Sequence, residues 1–371
     1  MRGRLSVPSC LYFKQGGYLA FGIELWPRPV RDRDRMTTET KQPAWRKILS
    51  AYQTPNLKNS LVEILLTILP LAALWAIGFW GAVSGKIWLA VLMCIPASVF
   101  LVRMFLIQHD CGHHSFFKSP TLNNWVGRFV GIVTLTPYDV WRRTHAIHHA
   151  ASGNLDRRGL GAIDTLTVEE YQELSPLNKL GYRAYRHPIT LFIIGPIYMF
   201  FLEHRIPSGI MKEGWRPWVS AIGTNVAVLA LGWVIVSNFG WAPLLAVFIP
   251  TVFFAAVLGV WLFYVQHQFE DVRWFRNKDW SHTEGALLGS SFYDLPQPFS
   301  WLTGYIGIHH VHHAASRIPF YNLPKVLKNH PELKDMNRLT FWESFKCVSL
   351  TLWDEQNERM ISFRQFRKQF A

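Results

Sequence analysis

Charge is what this chain has least of. Asp, Glu, Lys and Arg together make up 17% of its 371 residues, where soluble domains run near a quarter. Cysteine is rarer still: Cys10, Cys94, Cys111 and Cys347 are scattered and form no CxxC pair. Neither a disulfide framework nor a thiolate metal site is therefore indicated. There is no low-complexity tract, no Gly-X-Y repeat and no sustained heptad, which excludes wholesale disorder, collagen and coiled coil. Although the formal net charge is +13, no basic stripe interleaves with a polar fold, and nucleic acid is excluded as a partner. What fills the space is apolar: 50% hydrophobic residues with 17 Trp and 26 Phe. Such a chain is partly dissolved in lipid, and its cations suit anionic headgroups or an acidic protein partner.

The missing charge is localised. No charged residue lies between Glu63 and Lys86, and none between Ile87 and Val102, with Arg103 placed to snorkel towards a headgroup. The 53 residues from Pro217 to Phe269 are again free of charge, broken only by the Ser237–Pro243 turn sequence. At about 20 residues per crossing, that stretch accommodates two helices and not three. The expected spans are 64–85, 87–107, 217–237 and 243–265. Shorter apolar runs at 129–138 and 188–202 are read as interfacial or re-entrant.

Lys86 is the one basic residue in the connectors 83–87 and 237–243. By the positive-inside rule the N-terminal, central and C-terminal segments are cytoplasmic. The expected fold is an all-α integral membrane protein, with four transmembrane helices in two hairpins and a cytoplasmic helical cap. Residues 1–35 lack an uninterrupted apolar core and carry Arg31-Asp32-Arg33-Asp34-Arg35, so they are not read as a signal peptide. Either translation starts at Met36 or these residues form a disordered tail.

Histidine is the residue in excess. Eleven of the 15 occur in three clusters and one satellite: His109, His113 and His114; His145, His148 and His149; His309, His310, His312 and His313; and His267 at the end of the fourth span. Residues three and four apart share a helix face, so each cluster projects two or three imidazoles together. The clusters lie between spans two and three and after span four, hence on one side of the membrane. They can therefore surround a shared metal site. A closed structural zinc needs only four ligands. Nine to eleven histidines suffice for two metals with positions left for oxygen, which favours redox iron, although spacing alone leaves manganese and zinc open.

The spacing H-x-x-x-H-H, H-x-x-H-H, H-x-x-H-H resembles the membrane fatty acid desaturase family. Ser152-Gly153-Asn154-Leu155-Asp156, Gln266-His267-Gln268-Phe269-Glu270-Asp271, Ser316-Arg317-Ile318-Pro319-Phe320-Tyr321 and Leu352-Trp353-Asp354-Glu355 extend the likeness to bacterial members. The resemblance covers residues 45–365, leaving 1–44 and 366–371 as tails. It implies a di-iron enzyme that uses O2 and two electrons to place a cis double bond in a fatty acyl chain. It also implies that His109, His113, His114, His145, His148, His149, His309, His312 and His313 are box ligands and His267 an additional one. His310 stands inside the third box but outside its pattern, beside the metal shell. Asp110, Asp156, Glu270 and Asp271 are candidates for orienting imidazoles, and Asn154, Arg142 and Arg317 for holding a headgroup or water.

There is no His-Pro-Gly-Gly haem motif, dinucleotide glycine pattern or cluster-binding cysteine spacing in the chain. The electron donor is accordingly external, a ferredoxin or cytochrome b5 docking on the cytoplasmic face. The substrate is a phospholipid or other acyl-lipid, the first box resembling acyl-lipid Δ12/ω3-type enzymes. If the chain is bacterial the membrane is the inner (plasma) membrane. Two alternatives remain: a hydroxylase or ketolase of the same superfamily, acting on a carotenoid, sphingoid base or alkane, and a metal transporter. The second would require ionisable residues along a path through the spans.

Overall fold

The computed structural model describes residues 44–370. The alternatives drawn for residues 1–35 lie outside the described residues. Helix α1 (Ala44–Ser50) precedes α2 (Leu57–Val83), which starts where the Asn56 side chain accepts the Asn59 N–H at 3.1 Å. After the turn at Ser84, Gly85 and Lys86, with Gly85 at φ +75°, α3 (Ile87–Gly112) packs along α2. Gly81 allows the close approach, since a Cβ there would meet the Ala90 nitrogen at 3.2 Å.

Helix α4 (Pro120–Val133) is capped by the Ser119 hydroxyl, and α5 (Tyr138–Ala151) follows after four residues. Gly127 makes room for the Tyr138 ring, whose hydroxyl donates to the Cys111 carbonyl at 2.8 Å. This contact ties the start of α5 to the end of α3. Helix α6 (Arg216–Phe239) leads through Gly240, at φ +75°, into the wide turns of Trp241–Phe248 and then α7 (Ile249–His267). Among the described residues, four helical stretches are long and apolar enough to cross a membrane: Leu57–Val83, Ile87–Gly112, Arg216–Phe239 and Trp241–His267. They coincide with the four charge-poor stretches and extend beyond most of the expected ends.

Arg103 departs from expectation. It does not snorkel: it is fully buried, ion-paired with Glu63 and bonded to the Trp301 carbonyl, with its guanidinium 4.0 Å from the Trp301 ring. Glu63, taken to lie outside the first span, is therefore part of α2. The run at 129–138 divides between α4 and the turn into α5. The run at 188–202 forms wide helical turns with Ile189, Ile193, Ile194, Ile197 and Leu202 exposed, and is too short to cross.

The remainder is predominantly, but not wholly, helical. Five short strands correct the all-α expectation: β1 (Leu166–Thr167), β2 (Phe292–Asp294), β3 (Arg338–Thr340), β4 (Leu350–Asp354) and β5 (Arg359–Ser362). β1 runs parallel to β4 and β5 antiparallel to it, while β2 and β3 pair in parallel. Arg186, buried at 2% exposure, binds the Asp164 and Leu350 carbonyls and the Gln268 side chain, joining β1, the end of α7 and β4. Helix α8 (His282–Leu288) and helix α9 (His309–Ala314) lie against each other, and α10 (Phe363–Phe370), which runs past position 365, inserts Phe366 beside Tyr171.

Candidate metal centre

Four helix ends converge on one place. The last turn of α3 supplies His109, with His113 just beyond it; α5 supplies His145, His148 and His149; α7 ends on His267; and α9 supplies His309, His312 and His313. They divide into two groups, His109/His113/His145/His149/His312 and His148/His267/His309/His313, with ring nitrogens within 4.8 Å of one another in each. Helical phase explains the division. His145 and His149 are one turn apart on α5 and face the first group, whereas His148, about 100° away from His149, faces the second.

The nitrogens meet head-on. His145 Nε2 stands 3.1 Å from Nε2 of both His113 and His149, and His149 Nε2 is 3.1 Å from that of His312. In the second group His267 Nε2 lies 3.2 Å from His148 and 3.0 Å from His309, whose Nε2 is 3.0 Å from His313. A ring nitrogen carries one proton or one in-plane lone pair, not both. It cannot satisfy two such neighbours by hydrogen bonding, whereas a cation between the lone pairs satisfies all of them. Burial, reinforced by neighbouring imidazoles, holds His113, His145, His148, His149, His309, His312 and His313 well below the usual histidine range. They are neutral, the form that ligates metal. Five nitrogens in the first group also exceed a closed tetrahedral set.

The other ring nitrogen is held in two cases. His109 Nδ1 lies 3.1 Å from Asp110 Oδ1, while Asp110 Oδ2 accepts the Phe320 N–H at 2.7 Å; His267 Nδ1 donates to the Gly289 carbonyl at 3.3 Å. Trp141 stacks on His145 with ring centroids 4.5 Å apart. An aromatic ring one turn before a histidine on the same helix was the sequence signal for that contact, and sequence reasoning missed it.

Groups of five and four histidines thus sit where two spanning-length helices end. The fatty acid desaturase family model matches residues 86–345. A fatty acid desaturase of Bacillus subtilis (strain 168) is 41% identical over 336 residues, covering 90% of this chain and 94% of that protein. This chain belongs to the fatty acid desaturase family. An sn-1 acyl-lipid omega-3 desaturase (ferredoxin) of Nostoc sp. (strain 36) is 27% identical, over 81% of this chain and 82% of its own. An sn-1 oleoyl-lipid 12-desaturase of Synechocystis sp. (strain ATCC 27184 / PCC 6803 / Kazusa) is 26% identical, over 67% and 70%.

Not every residue singled out in this desaturase reaches the centre. His114 follows the end of α3 at φ +54°, which turns its ring away from both groups, and its Nε2 lies 3.0 Å from Asn124 Oδ1. His310 bonds the Leu333 carbonyl at 2.9 Å and lies outside both groups. Asp156 binds Arg276 and the Asn277 N–H instead of an imidazole, and Glu270 and Asp271 are exposed. Asn154 caps the turn at Leu155–Arg157 and bonds Asn277. Arg142 donates to the Gly112 carbonyl at 3.2 Å, holding α5 against α3, and Arg317 is exposed. An apolar groove of about 340 Å³ lies between α2, α3 and α4, but its lining of Ile64, Ile68, Met104, Ile107, Trp125, Val126, Phe129 and Val130 includes no histidine. Ile107 is about 200° around α3 from His109, so this groove opens on the far side of the helix from the centre.

Proposed function

We propose that the protein is an O2-dependent di-iron desaturase that inserts a cis double bond into an acyl chain carried by a membrane lipid, with electrons from an external carrier. The observation that carries this reading is the pair of converging imidazole groups at the ends of α3 and α7, where the chain leaves its spanning helices. The first group would hold one iron through His109, His113, His145, His149 and His312, and the second the other through His148, His267, His309 and His313. Bound there, iron would supply the activation of O2 and the removal of hydrogen from an unactivated methylene. The chain's own part is to fix the imidazoles: Asp110 sets the His109 ring, the Gly289 carbonyl sets His267, and Trp141 covers His145. The apolar ring of Trp141 beside His109 and His145 restricts water on that side of the centre.

The concentration of Lys and Arg outside the connectors supports two helical hairpins with both termini and the histidine centre on the cytoplasmic face, of the inner (plasma) membrane if the chain is bacterial. A lipid-borne chain suits a site at the mouth of the spanning helices. The ferredoxin dependence named for the Nostoc relative supports a ferredoxin as donor, with a free cytochrome b5 as the other carrier of suitable charge. Gas chromatography of fatty acids from a host expressing the chain, beside a His145→Ala control, tests the proposal. New unsaturated chains with the parent alone are expected, in protein carrying two irons per chain. Hydroxylated chains without a double bond would assign the centre to oxygen insertion instead.

A further inference from the structure

The turn Ser152-Gly153-Asn154 begins three residues after His149, the last of the second histidine cluster, yet the ligand set makes no use of its serine. Gly153 has φ +71°, and a Cβ there would meet the Gly285 Cα at 2.8 Å; a Cβ on Gly285 would meet the Ser152 carbonyl oxygen at 2.5 Å. The two glycines thus bring the turn and α8 into backbone contact. The Trp280 indole donates to the Ser152 carbonyl at 2.9 Å, and the Phe275 N–H to the Gly153 carbonyl at 2.8 Å. With its backbone fixed on both sides, Ser152 lines a crevice.

Ser152 is only 8% exposed, and its Oγ has no hydrogen-bond partner in the protein. Trp274 lines the same crevice with a buried indole N–H that also lacks one. Exposed Arg157 and Leu160 belong to the wall on the solvent side, and Phe263, His148 and His267 to the wall on the metal side. The internal volume is about 20 Å³, room for one water. Buried polar groups are almost always satisfied. Both residues line this crevice together with His148 and His267 of one metal group, which marks it as a place for water.

We propose that this crevice is the aqueous inlet of the centre, in which the Ser152 hydroxyl and the Trp274 N–H hold the water that passes protons from bulk solvent towards the His148/His267 side. The inference rests on the desaturase reading above. In that reaction a CH2–CH2 unit, O2, two electrons and two protons give CH=CH and two molecules of water. Two C–H bonds break and one double bond forms. O2 takes four electrons, two from the substrate and two from the carrier, and the two added protons come from solvent. Trp274 can only donate, but a hydroxyl both donates and accepts. Ser152 is therefore the relay residue, and Trp274 fixes the water.

Accessibility is read without turnover by placing Ser152→Cys in membranes, treating with aminoethyl methanethiosulfonate or with a polyethylene glycol maleimide, and mapping peptides by mass spectrometry. Modification of position 152 by the small reagent but not the bulky one is expected, with Cys94, Cys111 and Cys347 unmodified. Protection of position 152 from both reagents would overturn the inlet even if the enzyme desaturates. In iron-replete Ser152→Ala, the solvent deuterium isotope effect on kcat is expected to rise at least twofold, and more peroxide to be released per O2 consumed, with Ser152→Thr restoring both. An isotope effect and peroxide yield equal to the parent's would overturn the relay. Absence of any unsaturated product from the parent itself would instead refute the functional reading, while the labelling pattern still reports on the crevice.

Discussion

Asp110 joins two histidine boxes through one carboxylate. Oδ1 lies 3.1 Å from Nδ1 of His109, and Oδ2 accepts the backbone N–H of Phe320, seven residues beyond His313, at 2.7 Å. The residue next to a first-box ligand thereby fixes both that ligand's ring and the segment that follows the third box.

Replacing Asp110 with Asn keeps one acceptor and turns the other into a donor, so one of the two bonds is lost. Loss of such a partner costs about 10- to 100-fold in metal affinity or activity. Asp110→Asn is expected to release iron faster under a chelator, with helix content unchanged by circular dichroism. Iron retention equal to the parent's would show that the carboxylate does not orient His109.

His113 and His114 are adjacent and should behave oppositely. His113 faces His145 across 3.1 Å, while His114 is bonded to Asn124. His113→Ala is expected to lower iron content and abolish measurable product. His114→Ala should keep its iron and lose less than about threefold in activity, of the order of one neutral hydrogen bond. Metal analysis of the two variants, purified alike, separates them.

The Glu63–Arg103 pair joins α2 to α3 with side-chain exposures of 13% and 0%. Removing one partner leaves a buried charge, which costs about 3–5 kcal/mol, whereas replacing both with apolar residues is far milder. Glu63→Gln is expected to depress the melting temperature strongly in detergent or nanodiscs. The double variant Glu63→Met/Arg103→Met should recover most of the loss. Equal destabilisation by single and double changes would argue against the pair.

Acid should weaken the metal-free fold. His310 is lowered to about 4 by burial, against the raising effect of its bond to the Leu333 carbonyl. An unfolded histidine takes its proton near 6.5. The contribution to stability is therefore complete above pH 6.5 and lost as pH falls from 6.5 towards 4, by about 1.4 kcal/mol per unit for this one residue. The lowered imidazoles of the two groups add in the same direction. Thermal midpoints of chelated protein between pH 7.5 and 4.5 are expected to fall, and a flat profile would contradict the burial of these rings.

On the proposed function, an acidic electron carrier docking on this chain of net charge +13 would be steered by long-range attraction. The Debye length shrinks from about 30 Å at 0.01 M salt to about 8 Å at 0.15 M. Turnover at limiting carrier is expected to fall several-fold over that range. Salt-independent turnover would mean that another feature recruits the carrier.

Much of this arrangement is written locally. Apolar runs without charge encode helix length, and three- and four-residue spacing encodes which imidazoles share a face, so the four long helices and the histidine clusters could be read without coordinates. What escaped depends on contacts distant in sequence. Arg103 looks like a headgroup anchor until Glu63 and Trp301 are seen around it, some 40 and 198 residues away. His114 is indistinguishable from His113 by type and differs through a single backbone angle after the end of α3. Asp156 and Asn154 stand near the second box in sequence, but Asn277, across the fold, takes up both side chains. The strands are two to five residues long and too short to show a period.

Both imidazole groups draw on α5 and on α9, and each adds a member from a spanning helix. No continuous stretch of chain can assemble either one. During synthesis the first two clusters emerge well before His309, so nascent protein holds only partial sets of ligands until the third arrives. A full set of imidazoles for either group thus exists only after the third cluster has been made.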